Sequence, residues 1–268
     1  MRAIRCCVAA LLAAGIVTMV AAQPGRQGRF GFGQQDTYML VLTNTALQEE
    51  VKVTDAQKET FKTIVTKQEE MSKKANEGLK EKFQDAKGDK EKLTELFETM
   101  QKENAKVRAE IKKLLDAELT ADQKKRLHQV SIQAMGVGVF GDPEAKGSGG
   151  GFRNFFGPTE AQKAIMKEVQ DTLKLTDTQK SSIKGIMTEY NKDVSDMRKE
   201  IFGEKKGGFG GFDPGKQAEF QKKSGKLGKE VMAKIEDLLD DTQKKTWKEL
   251  TGPTFDLSKL RTIPPKKD

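Results

Sequence analysis

The chain has 268 residues, of which 33% are charged and 35% hydrophobic, and it carries a formal net charge of +8. This apolar fraction is low for a thick globular core and favours thin helical layers in which each helix buries one stripe. Charges of both signs alternate along the chain, as in Lys80-Glu81-Lys82, a pattern typical of solvated helix surfaces. We therefore expect no nucleic-acid partner.

Residues 1–22 have the three-part layout of a secretory signal peptide: two arginines, an apolar run, and small residues before Gln23. The pattern predicts cleavage between Ala22 and Gln23 and export to the periplasm or the medium. The alternative is a retained membrane anchor, although the apolar run is short for a span. Because both cysteines, Cys6 and Cys7, lie in this segment, the mature protein is expected to lack disulfides. No other stretch is apolar enough for a transmembrane helix, so the mature protein is also expected to have no membrane span.

Segments rich in glycine and phenylalanine divide the rest of the chain. Runs of glycine lose too much backbone entropy to lie inside helices, so these segments are predicted to be linkers or loops, including one at 207–215. The predicted organisation is a Gly-rich flexible segment (23–35), a first helical unit (36–141), a Gly/Phe linker (142–158), a second helical unit (159–255) and an irregular basic tail (256–268).

Two long helices are predicted in the first unit, over 57–84 and 90–117. Both stretches lack proline and carry apolar residues at steps of three and four. A turn near Gly88 would join them into an antiparallel hairpin, and strand signals are almost absent along the chain. The predicted fold is all-α, with long antiparallel, coiled-coil-like hairpins in two related units in tandem.

A short pattern, Leu or Val followed by Thr-x-x-Gln, occurs four times, with Asp in place of Thr in the last copy. Its defining residues are Thr54 and Gln57, Thr120 and Gln123, Thr176 and Gln179, and Asp240 and Gln243. Apolar residues stand four and seven positions after each Gln, namely Phe61 and Ile64, Leu127 and Val130, Ile183 and Ile186, and Trp247 and Leu250. Chance rarely produces four copies in this phase, so the chain contains a genuine internal repeat.

Thr followed three residues later by Gln is a capping box. The Thr hydroxyl accepts a hydrogen bond from the first helical turn, and the Gln side chain accepts one from the backbone of the cap residue. The apolar residues after each copy are predicted to anchor the helix in the core. Starting helices is the predicted role of the motif, and direct binding by its Thr and Gln residues is the alternative.

Paired Leu-Thr-x-x-Gln motifs on a helical hairpin behind a signal peptide resemble the Spy/CpxP family of bacterial periplasmic proteins. The resemblance is carried by Val53–Gln57, Leu119–Gln123 and Leu175–Gln179, with Leu239–Gln243 as a degenerate copy. It implies an all-α, cradle-shaped protein that acts as an ATP-independent chaperone or an envelope-stress regulator. Family members form dimers and carry two motifs per chain, so four motifs suggest either a monomer with an internal pseudo-dimer or a homodimer.

Catalytic and metal-binding constellations are hard to find. His128 is the only histidine, and it is interpreted as a surface or interface residue rather than a ligand. Carboxylate pairs such as Glu49-Glu50 and Asp240-Asp241 lack the loop spacing of a calcium site. We therefore expect no enzyme activity, no cofactor and no dedicated metal.

The leading functional prediction is an exported chaperone-like or stress-response protein that binds partly unfolded proteins on an amphipathic helical surface. Seven phenylalanines in Gly-rich contexts would contact such clients or, alternatively, fold back as satellite core: Phe30, Phe32, Phe152, Phe155, Phe156, Phe209 and Phe212. The rival predictions are a structural or scaffolding envelope protein without client binding, and a weak metal buffer.

Overall fold

The computed structural model describes residues 37–86, 89–144, 158–203 and 213–260. Over these ranges the protein is all-α, as the sequence predicts, with ten α-helices and no strand. The α-helices are α1 (Thr37–Leu40), α2 (Thr45–Glu50), α3 (Asp55–Ala75), α4 (Leu79–Asp85), α5 (Lys90–Glu118), α6 (Ala121–Met135), α7 (Glu160–Leu173), α8 (Asp177–Phe202), α9 (Pro214–Leu238) and α10 (Asp241–Thr251), and the described 3-10 turns are Gly136–Phe140 and Leu257–Leu260.

Part of the predicted organisation lies outside these ranges. The signal peptide with its cleavage site at Ala22 and Gln23, and the Gly-rich segment 23–35, are not among the described residues. The same holds for all seven phenylalanines predicted to contact clients.

The prediction of one helix over 57–84 is wrong, because α3 ends at Ala75 and α4 begins at Leu79. The break falls where Gly78 takes φ +71°, a left-handed conformation that glycine adopts without a steric penalty. The second long helix is close to its prediction, and its N-cap Asp89 accepts hydrogen bonds from the first turn of α5.

The predicted loop at 207–215 also needs correction at its C-terminal end. Asp213 is the N-cap of α9 and accepts from the backbone N–H groups of Gly215 and Lys216. Pro214 is the first helical residue, where its missing N–H costs nothing because that position has no intrahelical acceptor. Residues 214 and 215 therefore begin a helix.

Two pairs of long helices dominate the packing. In the first half of the chain (residues 37–144) α3 packs along α5, and in the second half (residues 158–260) α8 packs along α9. Each pair belongs to its own buried cluster. The first core is centred on Phe61, Ile111, Leu115, Leu127 and Val130, and the second on Val169, Leu173, Ile183, Ile235 and Trp247.

Each core also contains side chains from the other half. The first tail, residues 136–141 after α6, places Val139 and Phe140 in the second core. The second tail, residues 252–260 after α10, places Phe255 and Leu260 in the first core. The predicted irregular tail at 256–268 is therefore wrong for 257–260, which form a 3-10 turn anchored by apolar burial.

A hydrogen-bonded cluster fixes α1 to α5. Tyr38 donates its hydroxyl proton to Asp116, Lys112 Nζ lies 2.6 Å from the same carboxylate, and this ammonium also lies 4.7 Å from the Tyr38 ring centroid. Partial burial acts to raise the pKa of Asp116, but the hydrogen bonds from Lys112 and Tyr38 outweigh it and hold that pKa below its usual value.

The Asp116 cluster should make stability depend on pH. Because its folded-state pKa is lowered, the carboxylate contributes stability above its unfolded pKa of about 4 and loses it as pH falls through the folded value. Asp116→Asn is thus expected to lower the free energy of unfolding at pH 7 and to differ less from the parent at pH 3. Urea unfolding at both values measures this, and an equal difference at both would contradict it.

Two glycines weaken the long helices. Gly185 in α8 and Gly225 in α9 are exposed, have φ in the ordinary negative range, and have open space where a Cβ would stand. Replacing either by Ala should raise the free energy of unfolding by about 0.8–1 kcal/mol, since Ala loses less backbone entropy. Gly136→Ala is the matched control: its Cβ also meets open space, but φ is +53° and the change should destabilise. Thermal melting distinguishes the two directions.

Candidate functional site

All four copies of the repeated motif start helices as complete capping boxes. The N-cap side chain accepts from the backbone N–H of the Gln, and the Gln Oε1 accepts from the backbone N–H of the cap residue. In α10 the cap is Asp240, whose Oδ1 accepts from Gln243 N at 2.8 Å. Aspartate therefore performs the same role as the threonine it replaces.

A fifth capping box does not fit the Leu/Val-Thr-x-x-Gln pattern and was not predicted from the sequence. Thr159 caps α7, where it accepts from Gln162 N at 3.3 Å, and Gln162 Oε1 accepts from Thr159 N at 2.9 Å. Pro158 precedes it, whereas the other copies have Leu or Val at that place. A search for Thr-x-x-Gln without the preceding apolar residue would have found it.

The first and second copies of the motif meet through their glutamines. Gln57 Nε2 donates to Gln123 Oε1 at 2.9 Å, and Gln123 Nε2 donates back to Gln57 Oε1 at 3.0 Å. Gln57 Nε2 also donates to Glu118 O at the end of α5 (2.7 Å). Gln123 Nε2 also donates to Lys52 O in the loop before α3 (3.2 Å). This first glutamine clasp thus joins the starts of α3 and α6.

The third and fourth copies repeat the arrangement as a second glutamine clasp. Gln179 Nε2 donates to Gln243 Oε1 at 2.7 Å, and Gln243 Nε2 donates back at 3.0 Å. Gln179 Nε2 reaches Leu238 O at 2.8 Å, and Gln243 Nε2 reaches Leu173 O at 3.1 Å. The starts of α8 and α10 are joined as α3 and α6 are.

Glutamine is required at these positions because each amide uses two donors and two acceptor sites. One donor goes to the partner amide and one to a backbone carbonyl, while Oε1 accepts from the cap residue and from the partner. Gln123 and Gln243 are each only 7% exposed, so an unmade bond there is not replaced by water. The motif therefore caps each helix and also fastens it to a second helix.

The loops that receive the clasps share an unusual backbone. Lys52 (φ 55°) and Lys174 (φ 51°) are the only non-glycine residues with positive φ in the described ranges, and each lies two residues before a motif threonine. The left-handed turn brings the preceding helix to an end and directs carbonyls of this loop at the incoming glutamine. Equivalent strain at equivalent positions supports a structural repeat.

The apolar residues after each motif lie in or against the two cores. Six of the eight are buried: Phe61, Ile64, Leu127, Val130, Ile183 and Trp247. Ile186 and Leu250 are half-buried and pack against the second core. Trp247 Nε1 donates to Glu236 Oε1 at 2.9 Å, and its ring contacts Phe140 of the first tail with 5.4 Å between centroids. The only tryptophan of the chain thus reports on the seat of that tail.

A set of side chains on α6 contacts the second tail and was not found from the sequence. Gln133 Nε2 donates to Thr251 O (2.6 Å) and Pro253 O (2.7 Å), and Gln133 Oε1 accepts from Phe255 N at 2.8 Å. Arg126 Nη2 donates to Pro253 O at 2.8 Å. Because the partners are backbone groups on a distant segment, no spacing in the sequence indicates them.

Charged side chains close to this junction are internally paired. Arg126 lies 2.6 Å from Glu50, with side chains only 14% and 31% exposed. His128 Nε2 on α6 lies 3.0 Å from Glu168 Oε1 on α7, although the buried nitrogen makes no hydrogen bond of regular geometry. His128 therefore lies at the contact between the two halves.

One carboxylate of each pair considered for metal binding has another role. Glu50 pairs with Arg126, and Asp240 caps α10. Among the described residues, no group of three or more His, Cys, Asp or Glu side chains is placed to hold a metal ion. Over the same part of the chain, no helix is long and apolar enough to cross a membrane.

Comparisons of the chain with protein-family models, with curated proteins and with solved structures found no match. The resemblance to the Spy/CpxP family therefore stays a prediction that rests on the repeated motifs.

Proposed function

We propose that this chain is an exported, ATP-independent chaperone-like or envelope-stress-response protein that binds partly unfolded proteins along its two long helix pairs. The observation that carries the proposal is the thinness of those pairs. Among the described residues, α3 packs mainly along α5 and α8 mainly along α9 away from the clasps, so each pair is a layer two helices thick.

A layer of two helices cannot bury an apolar stripe completely, because a residue in the seam keeps one side toward solvent. The half-buried apolar residues of the first pair include Val65, Met71, Leu93, Phe97, Met100 and Leu114. Those of the second pair include Ile186, Tyr190, Val194, Met197, Phe202, Leu227 and Met232. Several are methionines, whose flexible side chains adapt to irregular apolar partners.

The same helices carry many exposed charged side chains. The ion pairs on α3, α5, α8 and α9 are mostly exposed contacts three or four residues apart, such as Lys62–Glu59 at 2.7 Å. Exposed pairs of this kind contribute little to stability, so they can be exchanged for contacts with a charged client. Weak charge attraction with scattered apolar contact suits reversible capture of unfolded chains.

One set of observations favours the scaffolding function instead. The motif glutamines and most of their apolar anchors point into the protein and are fully used there, so the repeat itself offers no free binding group. Under the scaffolding alternative the repeats serve architecture alone, and the chain has no affinity for unfolded proteins.

An aggregation-suppression assay distinguishes the chaperone proposal from the scaffolding alternative. The mature chain is expected to reduce light scattering of a chemically denatured model client at a stoichiometric ratio, without ATP. A variant with Met100→Ser and Met197→Ser should protect less, because it removes apolar contact from both seams. Met39→Ser is the control, since Met39 is equally half-buried but lies on α1. Melting curves verify that the variants stay folded.

Absence of protection by the unaltered chain at stoichiometric ratio would overturn the chaperone proposal and favour the scaffold. Equal loss of protection in the Met39 control would show that the seams are not the binding surface.

A further inference from the structure

We propose that the two halves of the chain recognise each other through exchanged tails, so that each half presents a binding surface whose specific partner is the complementary half. The pairing would hold without a covalent connection between them. This inference is independent of client binding, because it concerns buried residues and not the open seams.

The second tail is seated in the first half by two kinds of contact. Phe255 is 6% exposed and Leu260 is 2% exposed, both within the first core. Between the two anchors, Asn44 Nδ2 donates to Lys259 O at 2.9 Å. Gln133 binds the backbone on both sides of Pro253, because its Nε2 donates to Thr251 O and its Oε1 accepts from Phe255 N. Polar side chains of the first half therefore bond the backbone of the tail, while its apolar anchors are buried in the first core.

The first tail is seated in the second half in the same manner. Val139 (0% exposed) and Phe140 (5%) enter the second core, where Phe140 meets Trp247. Gln170 on α7 donates to Val139 O and Gly141 O, both at 2.9 Å. In each direction a glutamine on a helix of one half thus binds the backbone of a tail from the other.

Helices α6 and α10 pack against each other between the two tails. Gln129 Nε2 on α6 donates to Glu249 O at 3.0 Å, and the Gln129 amide lies where a Cβ on Gly252 would stand. The backbone conformation of Gly252 (φ +62°) favours glycine at this position. The contact resembles one between subunits, with tails exchanged about a common helix pair.

These observations define the partner. The seat in the first half fits a segment that has backbone acceptors around a proline, an aromatic anchor, and a 3-10 turn that ends in an aliphatic anchor five residues after the aromatic one. The second half carries that segment at 253–260, and the first half carries the reciprocal one at 136–141. Because both tails are seated at once, the two halves bind each other more tightly than they would through a single tail.

Cleavage between the halves tests the proposal on the whole protein. A specific protease site placed at residues 147–151, between the described halves, allows the folded chain to be cut without altering either core. The cut protein is expected to elute from a sizing column at the volume of the uncut chain and to keep the Trp247 emission maximum. Separation of the two fragments under native conditions would overturn the proposal.

A double variant tests the contacts of the second tail directly. Gln133→Ala with Phe255→Ala removes both the backbone contact and the aromatic anchor of the second tail, and should weaken the association of the cut halves about 100-fold. The uncut variant should stay folded by circular dichroism, because the connection keeps the halves at a high effective concentration. Phe83→Ala, on α4 away from the tails, is the control and should leave the cut complex intact. Unchanged association of the cut double variant would overturn the proposal.

Discussion

Gln123→Glu is expected to lower the free energy of unfolding by about 3 kcal/mol at neutral pH, the range for an uncompensated charge at a buried polar site. The Nε2 atom now donates to Gln57 Oε1 and to Lys52 O. A carboxylate oxygen in its place would face those two acceptors and could donate to neither. The remaining oxygen would keep only the hydrogen bonds that it accepts from Thr120 N and from Gln57 Nε2.

The penalty of Gln123→Glu should depend on pH in a definite direction. Burial beside two acceptor oxygens favours the protonated acid, so the introduced carboxyl has a folded-state pKa above its unfolded value of about 4.3. Its contribution to stability is then fully present below pH 4.3 and is lost as pH rises through the folded value. Denaturant unfolding at pH 4 and pH 7 measures the change.

Gln84→Glu is the matched control, because Gln84 is exposed on α4 and the change should stay within about 0.5 kcal/mol at both pH values. If Gln123→Glu lowered the free energy of unfolding no more than this control does, the first glutamine clasp would not stabilise the fold as described. A pH-independent loss would point to a steric effect in place of an electrostatic one.

Phe140→Ala is expected to destabilise the second core by about 3–5 kcal/mol, although residue 140 belongs to the first half. The side chain is 5% exposed and contacts Trp247 at 5.4 Å between ring centroids. Removing it leaves a cavity against the indole and loses the aromatic contact. The emission of Trp247 should shift toward that of an exposed indole early in the denaturant transition.

Phe83→Ala provides the comparison. Phe83 is half-buried and meets Phe97 edge-on at 5.2 Å, so the same truncation there removes less buried area and should cost about 1–2 kcal/mol. If Phe140→Ala lost no more stability than Phe83→Ala, the first tail would contribute little to the second core.

Local sequence patterns accounted for the starts of the four motif helices. Thr54, Thr120, Thr176 and Asp240 cap helices because capping depends on residues three positions apart, which any chain segment carries within itself. Periodicity likewise located α5, whereas the break at Gly78 was missed because an isolated glycine inside an apolar period gives a weak signal.

The all-α class, the starts of the four motif helices and the order of the motif copies were thus determined by the sequence alone, because each depends on interactions within one turn of helix. Tertiary structure decided what the glutamines do beyond capping. Gln57 meets Gln123 across 66 positions, and Phe140 reaches a core built mainly by the second half. Such contacts depend on how helices are placed in space, and hydrophobic burial places them without leaving a fixed spacing in the sequence. The four motifs therefore indicated four helices, and only their packing formed two clasps and two exchanged tails.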